Sequence, residues 1–125
     1  MKSFLLASTS PRRKALLQSL GLRFTVVAPK FEETPTTLTP VGECLLFAEE
    51  KARSVLAEHP DALVLGSDTL IDYDGEKLGK PADEEDAVRI LKKLSGRTHR
   101  VHTAVVLLGG EKELKHVETA EVTFR

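Results

Sequence analysis

The chain has 125 residues, 41% hydrophobic and 30% charged, with a formal net charge of -1. That length supplies one domain with one modest core, and the near-neutral balance excludes a surface that coats nucleic acid, which needs a strong basic excess. Cys44 is the sole cysteine, so no intrachain disulfide can form. There is no signal-peptide pattern and no apolar run near the roughly 20 residues of a membrane span. The expectation is a soluble, cytoplasmic protein with no membrane partner.

Phe4 to Ala7 is a short apolar run, read as a buried strand. Ser10-Pro11 gives a helix start, with Ser10 as cap and Pro11 in the first turn. Ala15, Leu16, Leu17 and Leu20 form its apolar face, and Gly21 stops it. Phe24 to Val27 reads as a second strand. Pro29 to Pro40 holds three prolines, four threonines and the Glu32-Glu33 pair, and is a loop. Thr39-Pro40 repeats the helix-start signal, and a helix follows to about Glu58 with Leu45, Ala48, Ala52, Val55 and Leu56 at helical spacing. Cys44 lies in that apolar stretch and reads as a small buried residue, not a nucleophile. Ala62 to Leu65 is a buried strand that runs into Gly66-Ser67-Asp68-Thr69. Leu70 to Tyr73 and Lys77-Leu78 flank Asp74-Gly75, a hairpin signal. Asp83 begins a third helix with Ala87, Val88, Leu91 and Leu94 inward, closed by Gly96. Val101 to Leu108 and Leu114 to Phe124 form a last hairpin around Gly109-Gly110. Strands alternating with helices and then hairpins predict an α/β domain over residues 1–125 with a mixed, twisted sheet flanked by helices. An edge strand left open after the last hairpin suggests that more protein should follow.

Several segments carry candidate chemistry. In Ser8 to Arg13 a buried strand feeds a helix start bearing Arg12 and Arg13. Free backbone N–H groups, the helix dipole and two guanidinium forks all favour a phosphate there. An ordinary capped helix with solvated arginines has the same pattern. Asp68, just past a strand, suits a general base or a metal ligand, although Gly, Ser and Asp are also turn residues. Lys80, between Gly79 and Pro81, and Lys51, at the margin of the second helix's apolar stripe, can each reach a phosphate or simply meet solvent. Glu33 can hold Mg²⁺ or be an exposed acid. His99 and His102 fall on opposite faces of a strand, which argues against a shared metal and for sheet-surface roles, and His59 and His116 read as surface residues. There is no CxxC, HExxH, Walker lysine or nucleophile-elbow motif.

Taken together, Leu6 to Arg13, Glu50-Lys51-Ala52, Gly66 to Thr69, Gly79-Lys80-Pro81 and Leu94-Ser95-Gly96 leading to His99, Val101 and Thr103 resemble the Maf family. These are septum-formation-inhibitor-like nucleoside triphosphate pyrophosphatases. The resemblance implies a Maf/ITPase-like fold with a cleft, a homodimer, dependence on Mg²⁺ or a similar cation such as Mn²⁺, and cleavage between the α and β phosphates. By matching position Asp68 is the general base and a metal ligand with Glu33. Ser8, Arg12, Arg13, Lys51 and Lys80 grip the triphosphate, and Thr69 contacts the substrate. Pro-Arg-Arg together with Asp-Thr resembles the branch acting on dTTP and UTP rather than the one acting on 7-methyl-GTP. Family members run on further and include a glycine loop that closes the site, so a chain of this length is expected to be incomplete and weakly active. Two other readings stand beside an enzyme: a nucleotide-binding regulator of septum formation, and an RNA-binding cleft. A single tyrosine gives the second poor stacking platforms.

Overall fold

The computed structural model describes residues 3–34, 36–78 and 83–123. The elements run β1 (Phe4–Ala7), α1 (Pro11–Ser19), β2 (Thr25–Val27), α2 (Pro40–Glu58), β3 (Leu63–Tyr73), β4 (Glu76–Leu78), α3 (Glu84–Leu94), β5 (Thr98–Gly109) and β6 (Lys112–Thr123). They build one mixed sheet in the order β2-β1-β3-β5-β6, with β4 pairing β3. β1 is parallel to both β2 and β3, and the remaining pairs are antiparallel. The expected α/β mixed sheet is what forms. Among the described residues no helix is long and apolar enough to cross a membrane.

α2 is the organising helix. Thr39 caps it through its side chain, which accepts from the Gly42 N–H at 3.1 Å, and Pro40 occupies the first turn. Its apolar stripe of Cys44, Ala48, Ala52 and Val55 packs on Leu5 and Ala7 of β1, Val64 and Leu70 of β3, and Ala104, Val106 and Leu108 of β5. Small residues let the helix lie close. The tightest point is Gly66, where a Cβ would collide with the Ala48 carbonyl oxygen and stand 2.9 Å from the Ala52 Cβ. Gly66 therefore serves helix–sheet approach rather than a turn.

Three expectations shift. The stretch Gly66 to Thr69 is not a turn beyond a strand's end, because β3 runs unbroken through it and pairs Asp68 with Ala104. Of the predicted inward face of α1, Leu17 is buried while Leu16 and Leu20 are 53% and 65% exposed. α3 likewise buries Ile90 and Leu94 and leaves Val88 and Leu91 exposed. The Asp74-Gly75 hairpin forms as read, both residues at positive φ (48° and 90°), the mirror-image turn that matches strand twist.

The pairing of β3 opens the site. Its one edge is covered by β5 from Val64 to Asp72. Its other edge pairs β1 up to Gly66 and β4 from Ile71 onward. Among the described residues, Ser67 to Leu70 have no strand partner on that side, and β1 turns away there into α1. The gap brings the start of α1, the middle of β3 and one face of α2 together.

Candidate active site

Alternation along β3 points Gly66, Asp68 and Leu70 toward α2 and Thr69 the other way. Because Gly66 draws the helix in, Lys51, lying between Ala48 and Ala52 in sequence, reaches across the gap margin. Its ammonium donates to Asp68 Oδ1 at 3.0 Å and pairs with Glu33 Oε1 at 2.6 Å. The Lys51 and Asp68 side chains are 14% and 10% exposed, and that of Glu33 39%. The Cys44 thiol fixes the same stretch of β3 by donating to the Asp68 carbonyl at 3.2 Å.

Glu33 comes from a loop that is laid along α2. The Lys30 N–H donates to Ser54 Oγ at 3.1 Å, Phe31 packs edge-on against Phe47 with ring centres 5.5 Å apart, and Glu33 meets Lys51. Further on, the Thr36 N–H and hydroxyl each donate to Glu43 Oε1 at 2.9 Å. Glu43 is buried, and Lys77 of β4 donates to the same oxygen at 3.0 Å and to the carbonyls of Thr36 and Leu38. The loop is thus pinned at five residues, Lys30, Phe31, Glu33, Thr36 and Leu38.

On the far side of the gap Ser8 is buried, and its hydroxyl accepts from the Ser10 N–H at 3.0 Å. The expected Ser10 side-chain cap does not form, and Ser8 shapes the helix entry instead. Arg13, half-buried, donates to Thr69 Oγ1 at 2.8 Å, while Arg12 is exposed on the same first turn. Lys80 lies outside the described residues.

Electrostatics follow from this packing. Burial raises the Asp68 carboxyl above its ordinary value, the Lys51 ammonium pulls the other way, and Glu33 adds to the rise. Burial works against the charged form of Lys51, but Glu33 and Asp68 outweigh it and hold its pKa above normal. Burial lowers Arg13, and Arg12 beside it contributes in the same direction. Burial also pushes the Cys44 thiol up to about 12, which removes it as a nucleophile near neutral pH. The site thus holds two guanidinium groups and one ammonium, together with two carboxylates that share that ammonium.

Among the described residues there is no group of three or more His, Cys, Asp and Glu side chains that could hold a metal. Glu33 and Asp68 offer two hard oxygen ligands converging on one cationic nitrogen. That suits a cation such as Mg²⁺, which takes one or two carboxylates and completes its shell with water and substrate phosphates.

Two features were missed in the sequence. Glu43 is not singled out in the sequence, where no local signal announces its burial. His99 and His102 face opposite ways as expected, yet both are buried, not on the sheet surface. His102 bridges Asp72 Oδ2 at 3.0 Å and Thr119 Oγ1 at 2.8 Å, tying β3, β5 and β6 together.

The chain is 46% identical over 124 residues to the dTTP/UTP pyrophosphatase of Bacillus velezensis, covering 98% of this chain and 66% of that protein. It is 48% identical to those of Aquifex aeolicus and Akkermansia muciniphila, covering 64% and 65% of them and 97% of this chain. The chain therefore spans just under two thirds of the length of the curated relatives it matches. In fold it is similar to the Ham1 protein of Staphylococcus aureus, with a TM-score of 0.62 at 16% identity, over 96% of this chain and 70% of that one. Residues 3–125 match the model of the Maf-like protein family, and the chain belongs to that family.

Proposed function

We propose that the chain carries the catalytic groups of a nucleoside triphosphate pyrophosphatase that hydrolyses dTTP and UTP to the monophosphate and pyrophosphate. The observation that carries this reading is the convergence of Asp68, Lys51 and Glu33 at the gap in β3, with Arg13 bonded to the neighbouring Thr69. The activity of the relatives, dTTP/UTP pyrophosphatases by name, suggests the substrate class.

A triphosphate carries about four negative charges near neutral pH, and these repel attacking water unless cations offset them. Arg12, Arg13 and the helix start they sit on receive phosphate oxygens, Arg13 as a fork anchored near Thr69. Lys51 adds a mobile point charge, and Lys80 belongs to the same set by its motif. Asp68 accepts the proton of a water that attacks the α-phosphorus. The bond to the bridging oxygen breaks and pyrophosphate leaves with that electron pair. Burial strengthens Asp68 as a base, while Lys51 keeps it ionised until substrate arrives. A divalent cation held by Glu33 and Asp68 would supply charge neutralisation of the phosphates when bound. Thr69, whose hydroxyl can donate or accept, is the residue to which we assign the preference for pyrimidine triphosphates. Such chemistry fits a cytoplasmic protein that removes unwanted nucleotides.

The test is pyrophosphate release from dTTP, UTP and 7-methyl-GTP, with Mg²⁺ or Mn²⁺ and with a chelator, beside the Bacillus velezensis relative as a positive control. Cation-dependent release that favours dTTP and UTP is expected. Preference for 7-methyl-GTP overturns the substrate assignment, and release undiminished by chelator overturns the metal.

A further inference from the structure

The Lys51 ammonium occupies the point on which Glu33 and Asp68 converge, 2.6 Å from one carboxylate and 3.0 Å from the other. These three side chains come from three different segments: a loop, α2 and β3. The two acids therefore meet at a cation locus that the protein itself already fills. Two proposed tasks of this cluster compete. Lys51 cannot neutralise both carboxylates and at the same time leave them to a divalent cation, because an ammonium has donors only and repels a second positive charge at contact distance. The backbone of α2 is fixed against β3 by the close approach at Gly66, so the part free to move is the four-carbon stem and its ammonium.

We propose that Lys51 is an internal counter-ion that keeps Glu33 and Asp68 closed to a divalent cation until a polyphosphate draws the ammonium away, so that metal and nucleotide enter together. This rests on the reading of Glu33 and Asp68 as the metal-binding pair. It gives Lys51 a second role beyond gripping phosphate: it prevents a metal from loading into the empty site. Binding of triphosphate and of metal is then mutually reinforcing, since each removes what opposes the other.

The experiment titrates the protein with Mn²⁺ alone, without nucleotide, and follows free Mn²⁺ by electron paramagnetic resonance. The wild type should bind weakly. Lys51→Met should bind at least tenfold more tightly, and Lys51→Arg, which keeps the charge, no more tightly than wild type. Adding Glu33→Gln to Lys51→Met should abolish the gain and so locate it at this pair. Should circular dichroism show Lys51→Met to be unfolded, Lys51→Gln, which keeps a donor but no charge, carries the same expectation. Equal Mn²⁺ affinity in the wild type and the neutral variant overturns the proposal, as does a gain that survives Glu33→Gln. Turnover of dTTP by the wild type is scored separately. Turnover without the Mn²⁺ gain refutes the counter-ion role and leaves the proposed reaction standing; the gain without turnover does the opposite.

Discussion

Replacing Lys77 with methionine removes one ammonium from the end of the Glu33-bearing loop and leaves most of the side-chain stem in place. Glu43, buried at 5% exposure, then keeps its two bonds from Thr36 and loses its counter-charge and one charge-assisted bond. Breaking a fully buried ion pair costs ~3–5 kcal/mol, and losing one charge-assisted hydrogen bond costs ~1.5–3 kcal/mol. The Lys77 side chain is 22% exposed and the Thr36 donors remain, which puts the expected loss at about 2 kcal/mol at pH 7. With a urea slope of ~2 kcal/mol per molar, the midpoint should fall by about 1 M. The pH dependence has a definite sign. Burial opposes ionisation of Glu43, but the Thr36 N–H, the Lys77 ammonium and the Thr36 hydroxyl together hold its pKa below the ordinary carboxylate value. Its contribution is therefore complete above the usual carboxylate range, roughly pH 4–5, and is lost as pH falls through the lowered folded value. In Lys77→Met the Glu43 pKa is lowered less, so less stability remains to be lost over that pH range. Urea unfolding by circular dichroism at several pH values measures both effects. A loss under ~0.5 kcal/mol at pH 7 would mean that the pair behaves as a solvated surface contact and does not hold the loop.

Gly66→Ala should destabilise by roughly 1–3 kcal/mol or more, because the added Cβ meets backbone and not a flexible side chain; it should also impair turnover by moving Lys51, and a melting temperature equal to wild type would contradict the close-approach argument. Arg13→Ala should weaken binding of a non-hydrolysable triphosphate about tenfold to a hundredfold, the loss of one charge-assisted contact, with little effect on nucleoside; calorimetry showing equal triphosphate affinities would refute the phosphate grip. Cys44 should resist iodoacetamide at pH 8 in the native protein and react once unfolded, since its thiol is buried and ionises only at about 12; rapid native labelling would refute that burial.

Local signals in this chain were legible, the Ser10 cap excepted, and non-local ones were not. Thr39-Pro40, Asp83 and Asp74-Gly75 each act within a few residues, and each produced the cap or turn it announced. The charged residues at Asp68, Lys51 and Arg13 stood out by type and motif. Their mutual distances did not, because Asp68 and Lys51 lie 17 positions apart and Arg13 and Thr69 lie 56 apart. Periodicity showed which residues of α1 and α3 share a face. It could not show whether that face is covered, and Leu16, Leu20, Val88 and Leu91 remain exposed. Gly66 reads as a turn residue beside Ser67 and Asp68, and only the packing of α2 shows that its missing Cβ is what the fold requires. Glu43 and His102 stayed hidden for the same reason. Their partners, Lys77 and Asp72, come from other strands.

The central claim is that Asp68 receives the proton of the attacking water, and Asp68→Asn tests it most directly. Turnover of dTTP at saturating Mg²⁺ should fall ~10²–10⁴-fold, as for loss of a general base. Affinity for a non-hydrolysable dTTP analogue, measured at the same saturating Mg²⁺, should fall far less than turnover, because the amide keeps the size and an oxygen that accepts from Lys51. Near-normal turnover in Asp68→Asn would contradict the account.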